Sequence, residues 1–204
     1  MTQTKTEWRR LLLEARQALG APLRRTHSAA IVERVASLAE FATSRAVAVY
    51  LPVGAEVDPL VLAVLAASES KAVYRPESKG AAPGWARHAF PLAVRSASGL
   101  PATRLATIPE TPLLLVVPGV GFDRYGTRLG RGEGFYDRAL ARLRQCSAMF
   151  AVGVAFEVQV VAQLPEDPWD QAVDLIATER RLVVPERKGH PRRTRRPAQE
   201  VHES

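Results

Sequence analysis

The stretch from Pro118 to Asp137, PGVGFDRYGTRLGRGEGFYD, combines the backbone freedom and the side chains needed to hold a phosphorylated ligand. Six of the thirteen glycines lie in it: Gly119, Gly121, Gly126, Gly130, Gly132 and Gly134. Glycine reaches φ > 0 and lets another molecule approach the main chain, at the highest entropic cost of any residue, so such a cluster needs a reason. Leu113 to Val117 is a short apolar run ended by Pro118 and reads as a buried strand. Phe135 to Leu143 has helical spacing. A strand, a glycine-rich turn and a helix predict backbone N–H groups and a helix N-terminus aimed at an anion. Arg124, Arg128 and Arg131 add permanent positive charge, and Asp123 and Asp137 offer hard oxygens for Mg²⁺. Phosphate, metal and backbone donors together suggest ATP. Neither a Walker P-loop nor a full dinucleotide fingerprint is present, since Gly130-Arg131-Gly132-Glu133-Gly134 carries only G-x-G-x-G. Taken alone, the cluster is equally compatible with a structural turn.

Other elements must bring partners to this stretch. Residues 4–19 read as a helix with a capping box at Thr4 and Glu7 and a stop at Gly20 and Pro22. Its apolar stripe is Trp8, Leu11, Leu12, Ala15 and Leu19. Lys5, Arg9 and Arg16 fall within about 40° of one another beside that stripe, as a solvated face or as a basic row leaning over a phosphate. A second helix is expected over 26–42, with Ile31, Val35 and Leu38 inward, then a buried strand over 46–51. Asp58 before Pro59 has a structural explanation as a helix start. Glu56 has no such explanation and sits at the end of a strand, where open α/β sheets bind ligands. A helix over 59–68 and strands over 72–75 and 149–155 follow, with short apolar runs at 172–177 and 182–184. Trp85, in a loop over 76–87, packs that loop or stacks on a ligand ring. Residues 88–112 give no clear pattern. The alternation predicts a mainly parallel sheet covered on both faces.

The run LGRGEGFYD, with GFD and G-x-R-L-G before it, closely resembles the signature of the 5-formyltetrahydrofolate cyclo-ligase (5,10-methenyltetrahydrofolate synthetase) family. Lys5 and Arg9 match that family's N-terminal K-x-x-x-R, and Glu56 to Asp58 match its E-V-D. Phe156 to Gln159, and Leu164-Pro165 through Thr178, match its C-terminal section. The resemblance implies a single-domain three-layer α/β/α fold over residues 1–185. It implies ATP-dependent cyclisation of 5-formyltetrahydrofolate to 5,10-methenyltetrahydrofolate, through phosphorylation of the formyl oxygen, with release of ADP and phosphate. ATP contacts would fall on Lys5, Arg9, Gly130, Arg131, Gly132, Glu133, Gly134, Phe135, Tyr136 and Asp137. Folate contacts would fall on Leu51, Glu56, Gly132, Glu133, Gly134, Phe135 and Tyr136. Arg131 and Asp137 would be catalytic, and Asp137 and Asp170 would hold Mg²⁺. Two positions depart from the pattern. Glu133 replaces a small or basic residue, and Trp169 stands where the family often has histidine. A non-catalytic paralogue that binds folate or RNA is the alternative, and an ATP-dependent enzyme for another formyl or carboxyl substrate is a third reading.

Bulk composition agrees with a soluble globular protein. Charged residues make up 24% and hydrophobic residues 47%, as in ordinary globular proteins. No run approaches the roughly twenty apolar residues of a membrane helix, and MTQTKTEWRR lacks the apolar core of a secretory signal. Cys146 is the sole cysteine, which excludes an internal disulfide and fits a cytoplasmic protein; it reads as a helix-end residue. Of the net charge of +7, residues 186–204 carry +3. The remaining charge suits anionic small molecules and equally suits weak nucleic-acid contact. The tail over 186–204 has no apolar periodicity, which predicts disorder, and no aromatic residue for stacking on bases, which argues against a nucleic-acid arm. His88, His190 and His202 lack zinc-site spacing. A monomer acting on small molecules is expected, without a membrane partner.

Overall fold

The apolar run after Pro112 becomes the middle of the sheet. The computed structural model describes residues 3–77, 82–87 and 104–186. The expectations for the tail beyond Glu186 and for His88, His190 and His202 lie outside the described residues. Five helices are present among those described: α1 (Lys5–Ala18), α2 (Ala21–Ala36), α3 (Ala39–Thr43), α4 (Leu60–Ser68) and α5 (Phe135–Cys146). The main sheet contains β1 (Ala46–Ala48), β2 (Ala72–Glu77), β3 (Gly84–Arg87), β4 (Arg104–Leu105) and β5 (Leu113–Pro118). A small three-stranded sheet is built from β6 (Gly121–Asp123), β7 (Arg128–Leu129) and β9 (Val160–Val161). The main sheet is completed by β8 (Met149–Val154), β10 (Leu175–Ala177) and β11 (Leu182–Val183).

The eight strands run in the order β11-β10-β8-β5-β1-β2-β3-β4. The five from β10 to β2 are parallel, and antiparallel strands close both edges. From β1 the chain passes through α4 to β2 on one side; from β5 it passes through α5 to β8 on the other. The order therefore reverses between β1 and β5, where a doubly wound sheet opens a crevice at its strands' carboxyl ends.

Side chains alternate across a strand with period two, and here the two sets feed two cores. Val47, Val73, Leu114 and Val116 pack with residues of α2, α3 and α4 on one face. Ala46, Ala48, Tyr74, Leu115 and Val117 pack with Ala139, Leu140 and Leu143 of α5 on the other. This is the predicted three-layer arrangement. A satellite core of Leu12, Val120, Leu129 and Leu164, flanked by Trp8, fixes α1 to the small sheet. The capping box forms as expected, the Thr4 N–H donating to Glu7 Oε2 at 2.7 Å and the Glu7 N–H donating to Thr4 Oγ1 at 3.3 Å. Among the described residues no helix is long and apolar enough to cross a membrane.

Three expectations need correction. The helix predicted over 26–42 is two helices, α2 and α3. Gly20, at φ 69°, both stops α1 and precedes α2, and Pro22 sits in the first turn, where its missing N–H costs nothing. The Ser37 hydroxyl donates to the Arg34 carbonyl at 2.8 Å and Leu38 turns extended, which divides the segment. The glycine-rich stretch is not one turn between strand and helix, because β6 and β7 form a hairpin inside it. Trp85 is 1% exposed in β3, so it packs the core and does not offer its face to a ligand.

Candidate active site

A cleft of about 680 Å³ opens where the sheet order reverses. Tyr50 and Leu51 beyond β1, Arg75 to Glu77 at the end of β2, Pro118 at the end of β5 and Gly119 after it line the cleft. The site residues implied by the family resemblance line it: Lys5, Arg9, Leu51, Glu56, Gly130 through Asp137, and Asp170.

The glycine-rich loop is shaped by its backbone. Gly132 has φ 108°, in a region L side chains rarely adopt, although a Cβ there would meet nothing closer than Arg9 at 3.8 Å. The requirement is for conformation and not for space. Gly134 has φ 63° and forms the cap of α5, which starts at Phe135. Helix α1 reaches both this loop and the segment around Asp170. Arg9 Nε donates to the Gly130 carbonyl at 2.8 Å, and Lys5 Nζ donates to Asp167 Oδ2 at 2.7 Å and Asp170 Oδ2 at 2.5 Å. Burial pulls the Lys5 pKa down, but its hydrogen bonds to the two aspartates and their charges outweigh burial and leave it above the ordinary lysine value. Lys5 is thus a cation at neutral pH, one helical turn before Arg9 on the same edge of the cleft.

Two ion pairs divide the site. Arg128 Nη2 donates to Asp137 Oδ2 at 2.8 Å, with the two side chains 5% and 14% exposed. The Gln171 N–H reaches Asp137 Oδ1 at 3.3 Å, and the Arg128 guanidinium lies 5.5 Å over the Tyr136 ring. Arg131 Nη2 donates to Glu56 Oε1 at 2.7 Å. Glu56 also has the local role that the sequence did not reveal, since its Oε2 accepts the Val53 N–H at 2.9 Å and closes the loop after β1. The Tyr50 hydroxyl donates to the Val57 carbonyl at 2.6 Å in the same loop. Burial, then Glu56 and Tyr136, push the Tyr50 pKa well above its ordinary value, so the phenol stays a donor. Burial likewise pushes Tyr136 up.

Asp123 and Arg124, which the sequence placed beside the phosphate, lie elsewhere. Asp123 is fully buried and accepts N–H groups from Tyr125, Thr127 and Leu164 at 2.9, 3.0 and 2.9 Å, so it ties β6 to its turn and to the segment after β9. Arg124 is half exposed and turns to Tyr125 and Glu186. Glu133 is exposed, and Arg138 bonds its carbonyl at 3.0 Å. Trp169, 68% exposed, lies along the cleft's edge. Asp167, Arg75 and Glu77 were missed by sequence reasoning. Asp167 had one available signal, its spacing of three residues from Asp170 across a proline-containing turn.

A magnesium ion that arrives on nucleotide phosphates needs only one or two protein carboxylates. Among the described residues no group of three acidic, histidine or cysteine side chains could cage a metal. Asp137 and Asp170 both line the cleft, each already paired with a cation, Arg128 and Lys5 respectively; two carboxylates are the number that an ion shared with phosphate oxygens uses.

A doubly wound sheet with a cationic, glycine-rich loop at its switch point is an arrangement with which α/β proteins bind ligands. The chain belongs to the 5-formyltetrahydrofolate cyclo-ligase family, whose sequence profile matches residues 1–179. The 5-formyltetrahydrofolate cyclo-ligase of Mycolicibacterium smegmatis is 28% identical over 193 residues, covering 89% of this chain and 97% of that one. The mouse cyclo-ligase is 41% identical over 68 residues, 32% of this chain, and the match spans about a third (34%) of the mouse protein. The NMR structure of Aquifex aeolicus 5,10-methenyltetrahydrofolate synthetase superposes with a TM-score of 0.74 at 33% identity, covering 94% of this chain and 99% of that one.

Proposed function

We propose that residues 1–185 catalyse the ATP-dependent closure of 5-formyltetrahydrofolate to 5,10-methenyltetrahydrofolate. The observation that carries this reading is the single cleft in which the Lys5–Arg9 edge and the Gly130–Asp137 loop meet Leu51 and Glu56, with Arg131 bridging the two sides. A formamide is a poor electrophile because its nitrogen shares electrons with the carbonyl. The formyl oxygen attacks the γ-phosphorus of ATP, the bond to ADP breaks, and the oxygen becomes a leaving group. N10 then attacks the formyl carbon and loses its proton, the C–O bond breaks, and inorganic phosphate departs with the methenyl bridge formed.

Phosphoryl transfer depends mainly on positioning and charge neutralisation, which is what this site offers. Lys5 and Arg9 neutralise phosphate on one edge, the backbone of Gly130 to Gly134 cradles it, and Arg131, half exposed on a long stem, reaches it from Glu56. Glu56 and Leu51 hold the folate. Mg²⁺ bound with ATP would be shared by Asp137 and Asp170 and would neutralise phosphate charge. No side chain serves as a covalent nucleophile. The reading is of a monomeric enzyme of the cytoplasm. With MgATP and 5-formyltetrahydrofolate the purified protein is expected to produce the near-ultraviolet methenyl chromophore, and omission of ATP to abolish it. Stoichiometric folate binding without turnover would instead establish the binding-protein alternative.

A further inference from the structure

The third member of the basic row on α1 does not share the work of the first two. Arg16 is 5% exposed, and among the described residues its buried Nε has no hydrogen-bond partner. It does not line the main cleft. It lines a second, smaller cavity together with Val53, Gly54, Ala55 and Arg131, the loop and side chain that hold Glu56. A desolvated guanidinium without a full set of acceptors is unfavourable, so its retention at this place calls for a compensating role. Burial depresses the Arg16 pKa, and the charge of Glu56 is the strongest attraction opposing that.

A guanidinium carries five N–H donors, and Arg131 uses only Nη2 on Glu56. Arg131 is half exposed at the cleft, so a phosphate that draws the whole side chain over takes from Glu56, whose side chain is only 10% exposed, its charged partner. The Val53 N–H alone would then hold it. Arg16 is fixed in the core beside that loop and cannot be drawn away to the ligand. We propose that Arg16 is a positioning residue that keeps the Glu56 carboxylate charged and in place for the folate while Arg131 serves the phosphate; this rests on the function proposed above.

The test compares Arg16→Gln and Arg16→Lys with the wild type in steady-state turnover and thermal unfolding, each also in a Glu56→Gln background. Arg16→Gln is expected to raise KM for 5-formyltetrahydrofolate at least ~10-fold while KM for ATP moves less than ~3-fold. Its thermal midpoint should not fall, because an uncompensated buried charge has been removed. Arg16→Lys, which keeps the charge, should recover part of the loss. With Glu56→Gln already present, Arg16→Gln should add almost nothing, since the partner it positions is gone. An unchanged folate KM, an equal effect in the Glu56→Gln background, or a fall in midpoint with both KM values rising together would each overturn the proposal. An inactive wild type would overturn the functional reading instead, whereas an active wild type with an unaffected Arg16→Gln variant overturns this proposal alone.

Discussion

Asp137→Asn is expected to lower turnover at least ~100-fold, equivalent to ~2.7 kcal/mol of transition-state stabilisation. Its loss as an ordinary acidic residue at a helix start would cost only ~0.3–1 kcal/mol of stability. The structure adds a second term, because Asp137 is the partner of Arg128, and both side chains are largely buried. Removing one member of a buried pair costs about 3–5 kcal/mol when the other charge is left without compensation. Asp137→Ala takes that cost, at its lower end because Asp137 retains some exposure. It should lower the thermal midpoint by roughly 6–12 °C, at ~2–4 °C per kcal/mol for a chain of this size. Asparagine keeps one acceptor oxygen for Arg128 or the Gln171 N–H and should destabilise less than alanine. The two variants therefore separate the roles. If turnover of the folded asparagine variant is lost far beyond its fall in stability, and raised Mg²⁺ restores part of it, Asp137 acts on the metal–phosphate side. Near-normal turnover would reduce it to the structural partner of Arg128.

Asp123→Ala is expected to cost stability heavily, by at least ~3 kcal/mol, because three backbone N–H groups lose their acceptor and each buried orphan costs ~1–3 kcal/mol. Asp123→Asn should recover only part of this, since its amide group presents donors where N–H groups need acceptors. The damage would fall on the small sheet, and through Val120 and Leu129 on the seat of Leu12 that sets the position of α1. Lys5 and Arg9 would then lose their place, so turnover should fall together with stability in urea unfolding. A stable Asp123→Ala protein would contradict this assignment. The two aspartates of one glycine-rich segment thus differ: turnover falls beyond stability in Asp137→Asn and together with stability in Asp123→Ala.

Much of the fold was legible because its strands are extreme. Leu113 to Val117 reads as a buried strand because it is short, apolar and ended by Pro118, and Asp58-Pro59 reads as a helix start. The helix begins at Leu60 with Pro59 at its cap, one residue later than expected, and the Asp58 Oδ1 accepts the Leu60 N–H at 3.0 Å. The β6–β7 hairpin was hidden because each of its strands is only two or three residues long, too short for periodicity to register. The break at Ser37 was hidden because apolar spacing continues through it.

In the site, Lys5, Arg9 and the 130–137 loop were legible as a phosphate-binding pattern, supported by the family resemblance. The resemblance singled out Arg131 and Asp137, but residue type and spacing alone did not distinguish Arg131 from Arg124, or Asp137 from Asp123. That depends on which side of a short hairpin each residue emerges, and on long-range partners such as Glu56, which lies 75 residues from Arg131. Arg16 shared a helix face with Lys5 and Arg9, and only tertiary packing shows that it is buried behind the loop they flank.

The central claim is that the formyl oxygen becomes part of a phosphate leaving group in this cleft. It is tested most directly by turning over 5-formyltetrahydrofolate carrying ¹⁸O in the formyl group with MgATP, and analysing the released phosphate by mass spectrometry. The mechanism proposed here predicts one ¹⁸O in each phosphate formed, with methenyl product and ADP appearing in equal amounts. Unlabelled phosphate, or methenyl formation without ATP cleavage, would contradict it.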